Sequence, residues 1–110
     1  MRTHKDLEAW RLAIDLARDV YEATKRYPRE EQFGLVSQMR RSVVSIASNI
    51  AAGAAGNGRK EFVQFLYIAL GSTRELDTYI EISKVCGVGD SLKWERLQDR
   101  TATVKKLYSV

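Results

Sequence analysis

Apolar residues return at spacings of three and four along almost the whole chain. Leu7, Trp10, Ile14, Ala17 and Tyr21 form the first such stripe, the spacing one face of a helix demands. Leu12, Ala13, Leu16 and Val20 widen it beyond a simple coiled-coil seam. The pattern predicts a helix over residues 6–26. Asp6 is placed to cap its start and Glu8 to favour the first turn, while Lys25 and Arg26 suit the last turn. Pro28 then stops it, because proline disfavours helix in the residue before it.

A second helix is expected to start near Glu31 or Gln32, with Leu35, Met39, Val43, Ile46 and Ile50 as its apolar stripe. Beside them runs a stripe of small or neutral polar residues: Gln38, Ser42, Ser45, Asn49 and Ala52. Small side chains let helices approach closely, and a polar residue at a core position can fix register. This face is therefore read as a packing surface, within the domain or between subunits. A third helix is predicted from about Arg59 to Val85, with Phe62, Phe65, Leu66, Ala69, Leu76, Ile80 and Ser83 on its inner face. At 1.5 Å per residue it would be about 40 Å long. The glycine at 87 reads as its stop and Asp90 as the cap of a last helix. That helix carries Leu92, Leu97, Val104 and Leu107, with Trp94 and Tyr108 alongside.

No stretch reads as strand and hairpin. Four helices on short connections predict an all-α fold, an antiparallel up-down four-helix bundle in one domain, residues 1–110. The length and a hydrophobic content of 45% suffice for a core. No apolar run approaches the ~20 residues of a membrane span. The first residues lack the apolar core of a signal peptide, and one cysteine cannot form an internal disulfide. A cytoplasmic protein is the expectation. The apolar stripes of the first and third helices look too broad for one bundle alone, so self-association is expected as well.

The formal net charge is +4, unevenly spread. Residues 31–60 hold four basic side chains against one acid, residues 61–86 two against four, and residues 87–110 five against three. A basic excess of this kind can attract nucleic acid or an acidic partner. Catalytic constellations are missing from the sequence. His4 is the only histidine, at a frayed end of the chain, so no Ser/His/Asp or Cys/His arrangement can be built around it. Cys86 reads as a small packing residue. Bundle di-metal sites need Glu-x-x-His pairs, and the chain has none. Glu75, read as lying toward the interior, is a single carboxylate. Neither an enzyme nor a bound cofactor is expected.

The glycine-rich run NIAAGAAGNGRKEF, residues 49–62, invites a phosphate-loop reading. Gly53 and Gly58 have the separation of G-x-x-x-x-G-K-S/T, but Arg59 and Lys60 stand where Lys and Ser or Thr belong, and a helix precedes it instead of a strand. A corner between helices accounts for it better. Gly53 or Gly56 would take positive φ to end one helix, Asn57 would cap the next, and Glu61 would sit in its first turn. Arg59 and Lys60 then project near a helix N-terminus, which itself attracts anions.

Three segments carry a family resemblance: residues 6–28, GLVSQMRRSVVSIASNIAAG from Gly34, and EFVQFLYIALGSTRELDTYIEI from Glu61. Their joint pattern, S-N-I-A-x-G with E-F-x-x-F-L-x-I-A-x-G-S and E-L, resembles the 23S rRNA intervening-sequence proteins over nearly the whole chain. The resemblance implies a compact antiparallel bundle assembled as a cyclic homopentamer. The family takes its name from reading frames inserted in bacterial 23S rRNA genes. A related branch, the accessory variability determinants of diversity-generating retroelements, is a basic pentamer that binds a reverse transcriptase and nucleic acid. The family has no known catalytic residues. Arg40-Arg41 matches its basic pair. Ala52 stands where the family has Glu, and Ala55-Gly56 where it has Gly-Arg.

The leading expectation is thus a non-enzymatic oligomer that contacts RNA or DNA phosphates through Arg40, Arg41, Arg59, Lys60, Lys105 and Lys106. One arginine of the 40–41 pair is expected to meet Glu75 or Asp77 while the other faces out. Ser45, Asn49, Gly71, Ser72 and Glu75 are the candidates for helix packing or the oligomer interface. The rivals are an adaptor for a protein such as a reverse transcriptase, and a structural bundle without a nucleic-acid role.

Overall fold

The computed structural model describes residues 3–108, with backbone only for residues 91 and 92. Within them lie four helices: α1 (His4–Thr24), α2 (Leu35–Ala55), α3 (Arg59–Val85) and α4 (Ser91–Tyr108), with a short 3-10 turn at Arg29–Glu31. Among the described residues there is no strand. The fold is all-α, and its four helices fit a bundle. α1 lies against α2 and α4, and α3 lies against α2 and α4, with no close backbone approach of α1 to α3 among the described residues. The pairing of α2 with α3 is the most extensive.

One hydrophobic core draws on all four helices. In α2 it takes the expected stripe, with Met39, Val43, Ile46 and Ile50 buried. In α3 it takes Ala69, Leu76 and Ile80, and in α4 Trp94, Leu97 and Val104. Leu92, expected on the same face, has its side chain outside the described residues. In α1 the core takes Ala9, Ala13, Leu16 and Val20. The stripe read first from the sequence flanks that line, and Ile14 and Tyr21 are 43% and 39% exposed. The helix is apolar around more than half its circumference, so spacing alone could not say which line faces in.

The caps differ from expectation in detail. Thr3, three residues before the expected Asp6, caps α1: its hydroxyl accepts from the Asp6 amide at 3.1 Å. Glu31 belongs to the 3-10 turn, and α2 starts only after Gly34. Gly53 lies inside α2, where a Cβ would come 3.1 Å from that of Phe65; it permits close helix approach instead of a turn. Gly56 has φ −73°, and the positive φ of this corner falls at Gly58, which takes the cap position expected for Asn57. Gly87 ends α3 at φ +68° as a helix stop should. The Asp90 carbonyl accepts from Lys93 and Trp94 as α4 begins.

Several buried hydroxyls are satisfied within their own helices. Thr24, Thr73 and Ser83 each donate to the carbonyl four residues back. A second network joins three segments. Trp94 Nε1–H donates to Tyr27 Oη at 3.0 Å, and the Tyr27 hydroxyl donates to Ser83 Oγ at 2.7 Å. Tyr27→Phe leaves the buried Trp94 N–H without its acceptor. The expected loss is about 1–3 kcal/mol, read as a lower urea midpoint at unchanged slope.

Contacts between helix ends recur around the molecule. Arg40, early in α2, reaches the end of α1: Nε donates to Thr24 Oγ1 at 3.0 Å and a terminal nitrogen to the Tyr21 carbonyl at 3.3 Å. Gly53, late in α2, meets Phe62 and Phe65 early in α3. Tyr108, at the end of α4, meets Asp6 at the start of α1. No helix is long and apolar enough to cross a membrane among the described residues.

Candidate nucleic-acid interface

The six basic residues singled out from the sequence divide between two regions. Arg40 and Arg41 lie near the start of α2, about 20 Å along the helix from the corner that precedes Arg59. The two arginines differ, as neighbours about 100° apart on a helix must. Arg40 is half-buried, and its guanidinium lies 4.6 Å from the centroid of the Tyr21 ring while bonding to the end of α1. A cation suits that negative helix end. Arg41 is exposed. The partners expected for one arginine of the pair, Glu75 or Asp77, are elsewhere: Glu75 is exposed rather than interior, and Asp77 is held by α4. Its carboxylate accepts from Thr101 at 2.7 Å and from Lys105 at 2.5 Å. Lys105 is thus committed to an α3–α4 ion pair.

Arg59, Lys60 and Lys106 belong to the other region, and all three are exposed. There the start of α1, the start of α3 and the end of α4 come together. Phe62 meets Tyr108 edge to face, 6.3 Å between centroids, and Lys5 of α1 lies 5.8 Å from the Tyr108 ring centroid. A hollow of about 500 Å³ opens between them, with Phe62, Val63, Leu66 and Tyr108 as apolar walls and Lys5 and Arg59 at its rim. Of the acids here, Glu61 is exposed in the first turn of α3, whereas Asp6 is buried and its Oδ1 accepts from the Tyr108 hydroxyl at 2.8 Å. Burial, and after it the Asp6 carboxylate, holds the Tyr108 hydroxyl well above its ordinary pKa. It stays protonated and keeps donating. α3 begins here on Gly58 without a side-chain cap.

Lys5 was missed by counting charge in consecutive segments. Tallying cations by helix end finds it, since neighbouring starts and ends share one end of a bundle. The region can attract phosphate by charge, and its aromatic rings give unpaired bases a stacking surface. The corner residues that differ from the resembling sequences lie next to it. A Cβ on Gly56 would come 2.9 Å from Glu61 Oε1, so an arginine there would meet a carboxylate. In this chain glycine supplies no such cation.

The small-residue candidates fall in the α2–α3 contact. Ser45 Oγ and Ser72 Oγ are hydrogen bonded at 2.8 Å, and Asn49 Nδ2 donates to the Ser45 carbonyl and hydroxyl. Gly71 lies one residue outside this contact, and a Cβ on it would meet nothing within 4 Å. Among the described residues no three His, Cys, Asp or Glu side chains gather as a metal ion would need.

Comparison with known proteins places the chain. No curated protein matches it. Its structure superposes with a TM-score of 0.86 on a crystal structure from Bacteroides thetaiotaomicron, described as a protein of unknown function from the S23 ribosomal protein family. The two are 23% identical, with 94% of this chain and 93% of the other covered, a likeness of fold. Residues 5–109 match the family described as 23S rRNA-intervening sequence protein. The chain therefore belongs to the 23S rRNA-intervening sequence protein family.

Proposed function

We propose that the chain is a non-enzymatic, self-associating four-helix bundle that contacts RNA or DNA phosphates through Lys5, Arg59, Lys60 and Lys106. The observation that carries this reading is the meeting of exposed Lys5 of α1 and Arg59 of α3 at the rim of an aromatic-walled hollow, with Lys60 and Lys106 exposed near the same helix ends. An antiparallel up-down course is supported by the end-to-start contacts of α1 with α2, α2 with α3, and α4 with α1. The assembly is a cyclic homopentamer and the location cytoplasmic, as the family resemblance implies. Arg41 is a secondary contact on a separate surface. Arg40 and Lys105 serve the fold first.

Phosphate contacts carry little sequence information and are strongly salt dependent. Replacing Arg59 and Lys60 by Gln is expected to weaken binding to a single-stranded RNA about equally for all sequences. It should also flatten the plot of log affinity against log salt by about 1.4, at about 0.7 per lost contact. Fluorescence anisotropy over a salt series measures both. An unchanged slope removes these two residues from the interface.

The adaptor reading is favoured by Phe33, 92% exposed just before α2. A partner such as the reverse transcriptase bound by the resembling retroelement branch would use apolar anchors of this kind and form a salt-tolerant complex. Recovery of one protein by the tagged chain after nuclease treatment would favour it over phosphate binding.

A further inference from the structure

Two lines of apolar residues stay partly exposed on the surface of the chain, although Trp10 and Tyr79 on them also pack against the core. The first follows α1. Trp10, Ile14 and Tyr21 recur on one line at spacings of four and seven, and Ile14 is 43% exposed. Tyr21 meets Arg40 of α2, and one turn further along the same side of α2 stands Val44, 49% exposed. The second face follows α3. Ile68, Glu75 and Ile82 recur at spacings of seven, with Ile68 50% exposed and Ile82 41%, while Ser72 and Tyr79 at the intervening positions turn toward α2 and the core. Because α1 and α3 lie diagonally across the core without close backbone approach, neither outer face can cover the other inside one chain.

We infer that these two unlike faces dock on each other between copies, the α1–α2 face of one chain against the α3 face of the next. Charge supports the pairing. Arg11 and Arg40 flank the first face, while Glu61 and Glu75 lie along the second. Opposite charges favour the mixed contact over either face meeting itself. Gly71 supports it too. A glycine inside a 27-residue helix is unfavourable, and no neighbour within the chain requires it, since a Cβ there meets open space. Beside Ile68 and Glu75 it lets a second helix approach α3 closely. A contact between two different faces is heterologous, so it propagates and closes into a ring where the rotation allows. This inference rests on the self-association put forward above and adds which surfaces make it.

The test uses the full chain with one face spoiled at a time, by Ile14→Glu or by Ile68→Glu. Both positions are well exposed, and helicity should match the unaltered chain by circular dichroism. Should either substitution lower helicity, Val44→Glu and Ile82→Glu on the same two faces replace them with the same expectations. Mass is measured in solution at tens of micromolar. The unaltered chain should be an oligomer and each variant a monomer. An equimolar mixture of the two variants should then give a species of twice the monomer mass, because each contributes its one intact face. An oligomeric unaltered chain whose variants remain oligomeric, or whose mixed variants stay monomeric, overturns the face assignment alone. A monomeric unaltered chain overturns self-association and the assignment together.

Discussion

Leu76→Ala is expected to lower the stability of the fold by about 3 kcal/mol, within the ~2–5 kcal/mol span of fully buried leucines cut to alanine. Leu76 has no exposed surface, and Thr73 and Ile80 on the same face of α3 have none either. Close-packed neighbours relax only partly into the space left, so a cavity cost adds to the lost burial. In a chain of this size the thermal midpoint should fall by roughly 12–24 °C. The comparison is made at one fixed protein concentration, because association would shift the midpoint by mass action. Tyr67→Ala is the contrast: Tyr67 is 70% exposed, and an exposed substitution of this kind should cost under about 1 kcal/mol. Similar losses for the two would contradict the placement of the α3 inner face.

Gly89→Ala should cost about as much through a different cause. Gly89 has φ +87°, where an L side chain is strained by about 1–2 kcal/mol. Its Cβ would also stand 2.6 Å from a ring carbon of Tyr27 and 2.9 Å from one of Trp94. Both rings are buried and joined by a hydrogen bond, so neither can swing away without breaking the network to Ser83. Overpacking of this kind costs about 1–3 kcal/mol more. Gly87→Ala separates the two causes. Gly87 also has positive φ, but a Cβ there meets nothing within 4 Å. It should show the backbone cost alone, so Gly89→Ala should be the more damaging of the pair in urea denaturation. Equal losses would mean that the ring contact contributes nothing.

The helices were legible in the sequence because their signals are local and strong. Pro28 and Gly87 mark stops that need no knowledge of tertiary structure, and the α2 stripe of Met39, Val43, Ile46 and Ile50 is the buried one. The cap positions were less legible because competing cap residues stand close together. Thr3 and Asp6 are three apart, Asn57 and Gly58 adjacent, and their neighbours' geometry decides. The inward line of α1 was hidden by an excess of apolar positions. That excess leaves Ile14 and Tyr21 outside, where they form the first of the two faces proposed to dock. Glu75 was misplaced because a charged residue within a helical apolar pattern suggests a buried partner, whereas here the α3 stripe continues onto the surface. Ser45 and Ser72 were singled out from one chain pattern each, but their hydrogen bond depends on the register of α2 on α3, which spacing does not encode.

The cationic region was half legible. Arg59 and Lys60 stood out beside the glycines of residues 53–58, whereas Lys5 joins them only when the start of α1 is set beside the start of α3. Lys105 looked equivalent to Lys106 in sequence, yet one helical step turns it onto Asp77. A charge count cannot separate cations that hold the fold together from those that face solvent.

The most direct test of the proposed activity is a titration of the unaltered protein against a single-stranded RNA and a DNA duplex, from about 20 to 300 mM salt. Binding is expected at low salt to both, with little preference for sequence and a linear loss of log affinity with log salt whose slope reflects several phosphate contacts. No binding to either nucleic acid at the lowest salt, with the protein folded, would contradict it.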